Sequence, residues 1–270
     1  HPHPGNLDPL WSRGLGDVYK RQVPTLSNIN HFFSAKFRLE DKFRNKVSNN
    51  LDSLQLFFCK ENRMQIIDNY SFSVKDEHVL KIDSLKLTEP GIWRIEIKRS
   101  GQLLGKSNPI SITSKDTDKK ILWGELHGHT KYSDGYGEPI EYFNHARNNA
   151  FLDFAFITDH DVELDAPDYT VDQMYTINQE TIKQLTNNEN FISAWSWEWS
   201  PNRTTNTSKY PYGDHNIYFL CDTTNIFPSG SSNSQTISQL YTQLSRHKQK
   251  DKIHIIPHVG GAIGLSLIHI

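Results

Sequence analysis

The sequence predicts two folding units of different class, a small β-sandwich over residues 23–114 and an α/β domain over 121–264, joined by a linker at 115–120. Three observations lead there. Between about residues 28 and 113, apolar side chains alternate in short runs separated by turn residues. Lys115-Asp116-Thr117-Asp118-Lys119-Lys120 then carries charge without any apolar period, as a domain joint does. Beyond it, strand-like runs alternate with helix-like ones, the pattern of parallel strands connected by helices.

In the first unit the clearest strand follows Pro90-Gly91. Trp93, Ile95 and Ile97 share one face, and Arg94, Glu96 and Lys98 share the other. A half-buried antiparallel strand is expected. Ser100-Gly101 supplies a turn into Leu103-Leu104, and Ser107-Asn108-Pro109 precedes Ile110-Ser111-Ile112. Residues 53–59 and 71–74 are further candidates. Several short strands so closely spaced suggest a sandwich. Its expected role is that of a structural spacer, with carbohydrate or partner binding as the alternative.

In the second unit, strands are expected at 121–126, 153–158, 191–197, 216–221 and 252–256. Helices are expected at 139–150, at 171–185, and from about Ser234, where Ile237, Leu240, Tyr241 and Leu244 mark one face. In such folds the chemistry collects at the carboxyl ends of strands.

The chain has 270 residues, 36% of them hydrophobic, enough for a core in each unit. Lys plus Arg at 29 nearly balance Asp plus Glu at 31, so no strong nucleic-acid signal arises. Cys59 and Cys221 lie in different expected domains, which argues against a disulfide framework. No run approaches the ~20 apolar residues that span a bilayer. Residues 1–22 and 265–270 do not continue their neighbours' periodicity and are read as non-native tails, so an exported parent with a lost leader stays open; oligomeric state is not legible.

The unusual residues gather at the expected strand ends. Glu125, His127 and His129 alternate onto one side, and two imidazoles so spaced can face one ion. Asp134 follows in a Ser-Asp-Gly turn, and Thr158-Asp159-His160-Asp161 follows the apolar run 154–157. In Trp195-Ser196-Trp197-Glu198-Trp199 the tryptophans share one parity and Glu198 the other. If the tryptophans pack outward under helices, Glu198 points inward, where a carboxylate needs a cation or partner. Tryptophans lining a ligand pocket are the second reading. His215 opens an apolar run and His258 closes one. Glu125 has the parity to orient His127 as a hydrogen-bond acceptor, and Asp159 and Asp161 flank His160 for a similar role. The nitrogen- and carboxylate-rich set, without cysteine, suits Zn, Mn or Fe.

The ordered set HGHTKYSDG, TDH, a strand-end Glu, HNIYFL and IPH, over residues 122–261, resembles the PHP (polymerase and histidinol phosphatase) family of metal-dependent hydrolases. The β-rich region before it is similar to the extra domain of a subgroup of that family. The resemblance implies a distorted (β/α)7 barrel. It also implies that His127 and His129 bind one ion, that Glu198 bridges it to a second held by His215 and His258, and that Asp134 and His160 serve a third. Two or three divalent ions per site follow, with Glu198 and His258 as the candidate catalytic residues. The family's last motif, an aspartate and histidine close together, has no counterpart here. The first and third sites are therefore each expected to be one ligand short, and the barrel to be incomplete. Activity is expected of a longer parent rather than of this truncated chain.

The reaction so implied is phosphoester hydrolysis by a metal-activated water, with a small-molecule phosphoester as substrate. Two alternatives stand beside it: an amidohydrolase-like metal enzyme cleaving a non-phosphate bond, and a non-catalytic glycan- or partner-binding protein with a structural metal site.

Overall fold

The structure is a computed structural model that describes residues 20–38, 40, 51–61, 63–72, 79–162, 168–185, 191–201, 213–220 and 226–258. Cys221 lies outside them; Cys59 is a free thiol. The chain divides into two compact units, one spanning His1–Leu122 with Asn149–Phe151, the other Trp123–Asn148 with Leu152–Ile270.

The first unit is built from β1 (Lys20–Gln22), β2 (Leu26–Asn28), β3 (Phe32–Arg38), β4 (Leu51–Lys60), β5 (Arg63–Phe72), β6 (Val79–Lys86), β7 (Gly91–Arg99), β8 (Gln102–Lys106) and β9 (Ile110–Thr113). One sheet runs β2-β9-β7-β4-β5, with β8 also on β7; the other runs β1-β3-β6. Alternation drives the arrangement. Phe33, Ala35 and Phe37 of β3, Leu54, Leu56 and Phe58 of β4, and Trp93, Ile95 and Ile97 of β7 all enter one core. Each large side chain so buried contributes about 1.5–3 kcal/mol. Along β6 the buried positions Ile82 and Leu85 are spaced by three, because Ser84 adopts a positive φ of 63° beside an irregularity in the β3–β6 register.

The hairpin from β7 to β8 turns on Ser100 (φ 48°) and Gly101 (φ 81°), the left-handed pair of a two-residue turn matched to strand twist. β1 pairs with β3, so the boundary expected for a non-native tail at residue 22 falls after a paired strand.

The second unit contains β10 (Gly124–Glu125), α1 (Pro139–Asn144), β11 (Phe154–Ala155), α2 (Val171–Leu185), β12 (Trp195–Trp199), β13 (Asp214–Phe219), α3 (Ile237–Ser245) and β14 (Ile253–His258). Helix α1 starts with Pro139 behind a reciprocal Glu138–Glu141 box and runs on as a π-turn through His145–Asn149. Thr236 caps α3 by accepting from Gln239 N, while Gln239 Oε1 accepts from Thr236 N.

The α/β barrel expected from the sequence is overturned. β10 and β11 pair in parallel, and parallel bridges join Phe154 to Ile192 and His160 to Glu198. However, β12, β13 and β14 form an antiparallel sheet. A (β/α)7 barrel needs every strand to return through a crossover in the same direction. The segment 200–213 between β12 and β13 is polar and lacks the apolar helical period that a crossover requires. The protein is β-rich, with short helices applied to small sheets. Expected strands 121–126 and 153–158 shrink to two residues each, because their ends make loop hydrogen bonds instead of ladders.

Among the described residues, two larger apolar cores and a small one around Tyr132 and Met174 support the second unit. Trp195, Trp197 and Trp199 pack with Ile217, Phe219, Leu240 and Leu244; Phe143, Ala155, Ile157, Leu185 and Phe191 form the other.

Candidate metal centre

Three segments meet at one end of the second unit. After β10 the chain passes through His127, Gly128 and His129, and a side chain at Gly128 would come within 2.4 Å of the Tyr142 hydroxyl. Thr158 N donates to the Gly128 carbonyl at 2.8 Å, tying this loop to the one after β11. Thr130 adds its backbone N and its hydroxyl, each 2.6 Å from the Asp159 carboxylate. The Asp159–Asp161 segment is in turn clamped to β12, since Glu198 N donates to Asp159 O and Asp161 N to Glu198 O.

The clamps bring imidazoles and carboxylates together. His127 Nε2 and His129 Nε2 are 3.0 Å apart, and the His129 ring lies 4.7 Å from that of His160. Glu198 is fully buried, and its Oε2 is 3.3 Å from both His129 Nε2 and His160 Nδ1. Asp134 reaches in from the exposed side, 3.3 Å from His129 Nδ1 and 3.6 Å from His160 Nε2. Among the described residues, three groups have ligand atoms close enough to hold a metal ion: His127, His129 and Glu198; His129, Asp134 and His160; His160, Glu198 and Asp214.

Hydroxyls orient the rings. Ser133 Oγ lies 2.9 Å from His129 Nδ1 and donates to Asp159 at 2.9 Å. Ser200 Oγ lies 2.6 Å from His160 Nδ1, and Asp161 accepts from Ser200 N as well as from the backbone N and hydroxyl of Ser229. The two aspartates flanking His160 thus act on imidazoles through a serine each, one of those imidazoles being His129. Glu125 accepts from the backbone N of His127 at 3.2 Å, while the ring Nδ1 meets Thr158 Oγ1 at 2.8 Å.

Burial opposes the charged form of His129, but Glu198, with Asp134 and Asp159, outweighs it and raises the pKa from its ordinary value. Burial raises Asp159 against its hydrogen bonds from Thr130 and Ser133. Asp161 is pushed up to about 7 by burial despite its bonds from Ser200 and Ser229.

Of the residues singled out from the sequence, the structure brings together His127, His129, Asp134, His160 and Glu198. His215 is not in the described groups. Its ring packs 5.7 Å from Trp199, its Nδ1 meets the Gly213 carbonyl, and burial lowers its pKa. The backbone of His258 pairs with Asp214 at the end of β14, and its side chain lies outside the described residues. Sequence reasoning missed Asp214 and Asn216. The missed signal was parity: Ile217 and Phe219 enter the core, so His215 shares their side of β13, and Asp214, Asn216 and Tyr218 take the other. Asn216 Nδ2 is 3.0 Å from His127 Nδ1, and the Tyr218 hydroxyl donates to Leu126 O. The tryptophans pack in the core beneath α2 and α3, with Tyr175 of α2 4.2 Å from Trp195, as the first of the two readings of that strand requires.

Fold and site thus define a β-rich protein of two units whose second unit carries a histidine and carboxylate cluster with a metal-compatible donor set. No family model matches the chain. It is similar to an uncharacterised protein of Chlamydia trachomatis, 24% identical over 172 residues, covering 63% of this chain and 27% of that protein. An uncharacterised protein of Chlamydia pneumoniae is 24% identical over 190 residues, covering 68% of this chain and 30% of its own length. The chain therefore spans under a third of the length of these relatives. Among solved structures, the superoxide reductase (neelaredoxin) of Ignicoccus hospitalis is 14% identical with a TM-score of 0.26, covering 35% of this chain and 81% of that one. No helix among the described residues is long and apolar enough to cross a membrane.

Proposed function

We propose that this chain carries the metal centre of a divalent-metal-dependent hydrolase related to the PHP family, acting on a small phosphoester. The observation that supports it most is Glu198, a fully buried carboxylate with one oxygen 3.3 Å from nitrogens of two histidines remote in sequence. A carboxylate in that position is costly unless cations share it.

The ligand sets favour a carboxylate-bridged pair of ions. The group of His127, His129 and Glu198 and the group of His160, Asp214 and Glu198 have only Glu198 in common. Ions held by these two groups would share Glu198 and no imidazole. Asp134, whose side chain is 47% exposed, stands on the open side, where a substrate enters. Zn, Mn or Fe suits the donors. Bound there, the ions would acidify water and draw charge from phosphoryl oxygens.

The protein's own contribution is placement. Ser133, Thr158 and Ser200 hold the imidazoles, and Asp159 and Asp161 brace the serines. The test is metal content together with turnover of a panel of phosphomonoesters and phosphodiesters. Expected are bound divalent ions and metal-dependent turnover that Glu198→Gln abolishes with the fold intact. Absence of divalent ions from the folded protein, or turnover indifferent to their removal, overturns the proposal.

A further inference from the structure

Three tryptophans share the core side of β12, and their indole N–H groups differ in what they meet. Trp199 Nε1 donates to the Ser234 carbonyl at 2.8 Å. Trp195 Nε1 and Trp197 Nε1, in residues 6% and 2% exposed, have no acceptor among the described residues. Trp197 lies nearly flat against Trp195 and Phe219, at interplanar angles of 26° and 17°. Such contacts use the ring faces and leave the N–H, at the ring edge, to find an acceptor of its own. A third buried polar atom, Asn178 Oδ1 on α2, is likewise without a partner among the described residues, in a residue 4% exposed.

All three residues line one cavity between α2, β12 and the segment Asp159–Asp161, with Tyr175 and Ile226 also in its wall. About 20 Å³ of it is open to a water-sized guest. A buried water needs roughly 10–15 Å³ and about two to four polar partners. Indole N–H groups only donate, which excludes a cation. Asp159 and Asp161 in the wall disfavour an anion. What remains is a small neutral acceptor. A side-chain amide presents an oxygen or an N–H whichever way it is turned, and water answers either.

We infer that this cavity binds an ordered water that accepts from Trp195 and Trp197 and joins β12 to Asn178 of α2. The water thereby completes the hydrogen bonding behind the strand that carries Glu198. The site stands on packing alone, independently of the metal reading above.

The test uses the chelator-treated full chain with 15N-labelled tryptophan. Cross-peaks between each indole proton and water are recorded by NMR in the laboratory and rotating frames. For Trp195 and Trp197 they are expected with opposite signs in the two experiments, the mark of contact with a bound water; proton exchange gives the same sign in both. Asn178→Leu, near-isosteric and apolar, should remove them. A second readout replaces each indole by its isostere 3-benzothienylalanine, which exchanges the N–H for sulfur at little change in volume. At either position the loss of a water-bonded N–H should raise the unfolding constant about two- to tenfold. Removing an N–H that has no partner stabilises instead, so the sign decides. Same-sign or missing cross-peaks at either indole of the wild type, stabilisation by the isostere at either position, or indole shifts that follow chloride concentration would overturn the inference.

Discussion

Glu198→Gln is the most informative single change because it removes one charge and almost no volume. At 3.3 Å and an effective dielectric near 20, a pair of unit charges is worth on the order of 5 kcal/mol before desolvation. Losing this carboxylate should therefore weaken Zn(II) binding by at least a hundredfold, about 2.8 kcal/mol. A second readout needs no metal. Burial alone would lower the His129 pKa, and Glu198 is the main group raising it above its ordinary 6.5. With the folded pKa raised, that ion pair stabilises the protein below the unfolded value, and the stabilisation disappears as pH rises through the folded one. In the variant the decline over that window should vanish. Urea unfolding of chelated protein across neutral pH measures this, and competition with a chromophoric chelator measures Zn(II) affinity. Equal affinities together with an unchanged pH profile would refute the placement of Glu198 at the centre.

Three further outcomes are expected. Asp214→Asn should reduce the number of ions bound per chain while His215→Gln leaves it unchanged, as counted by elemental analysis, since Asp214 joins a ligand group and His215 packs on Trp199. Burial raises Asp161 from 3.8 to about 7, so stability present at acid pH is lost as pH rises towards 7, by roughly 4 kcal/mol at about 1.4 kcal/mol per unit. Asp161→Asn should flatten that slope in denaturation curves, at a fixed cost of about 1–3 kcal/mol from the donor it leaves unmatched. Trp197→Ala, emptying a site only 2% exposed, should cost about 3–5 kcal/mol and lower the thermal midpoint while leaving the first unit's transition unaffected.

Much of the candidate site was legible because its residue types are rarely placed together without a reason. Two histidines one residue apart, an aspartate in a tight turn and an acid among tryptophans all mark strand ends, and His127, His129, Asp134, His160 and Glu198 bring ligand atoms close enough together to hold a metal ion. Strand positions with strict alternation were equally legible: Trp93, Ile95 and Ile97 are buried and Arg94 is exposed. His215 shows where this stops. A histidine beside an apolar run is equally a ligand or a core neighbour, and only pairing with β12 places it beside Trp199.

By itself, then, the sequence determined which residues share a face of each strand, where the turns fall and which side chains have metal chemistry, because these follow from period-two geometry and from the side chains' own donors. Tertiary structure alone decided strand direction and register. The β12–β13–β14 sheet runs antiparallel where parallel strands were expected, and its register sets Asn216 opposite Glu198. Those choices depend on hydrogen bonds and packing between segments far apart in the chain, and one residue's slip in register would exchange the two faces of β13.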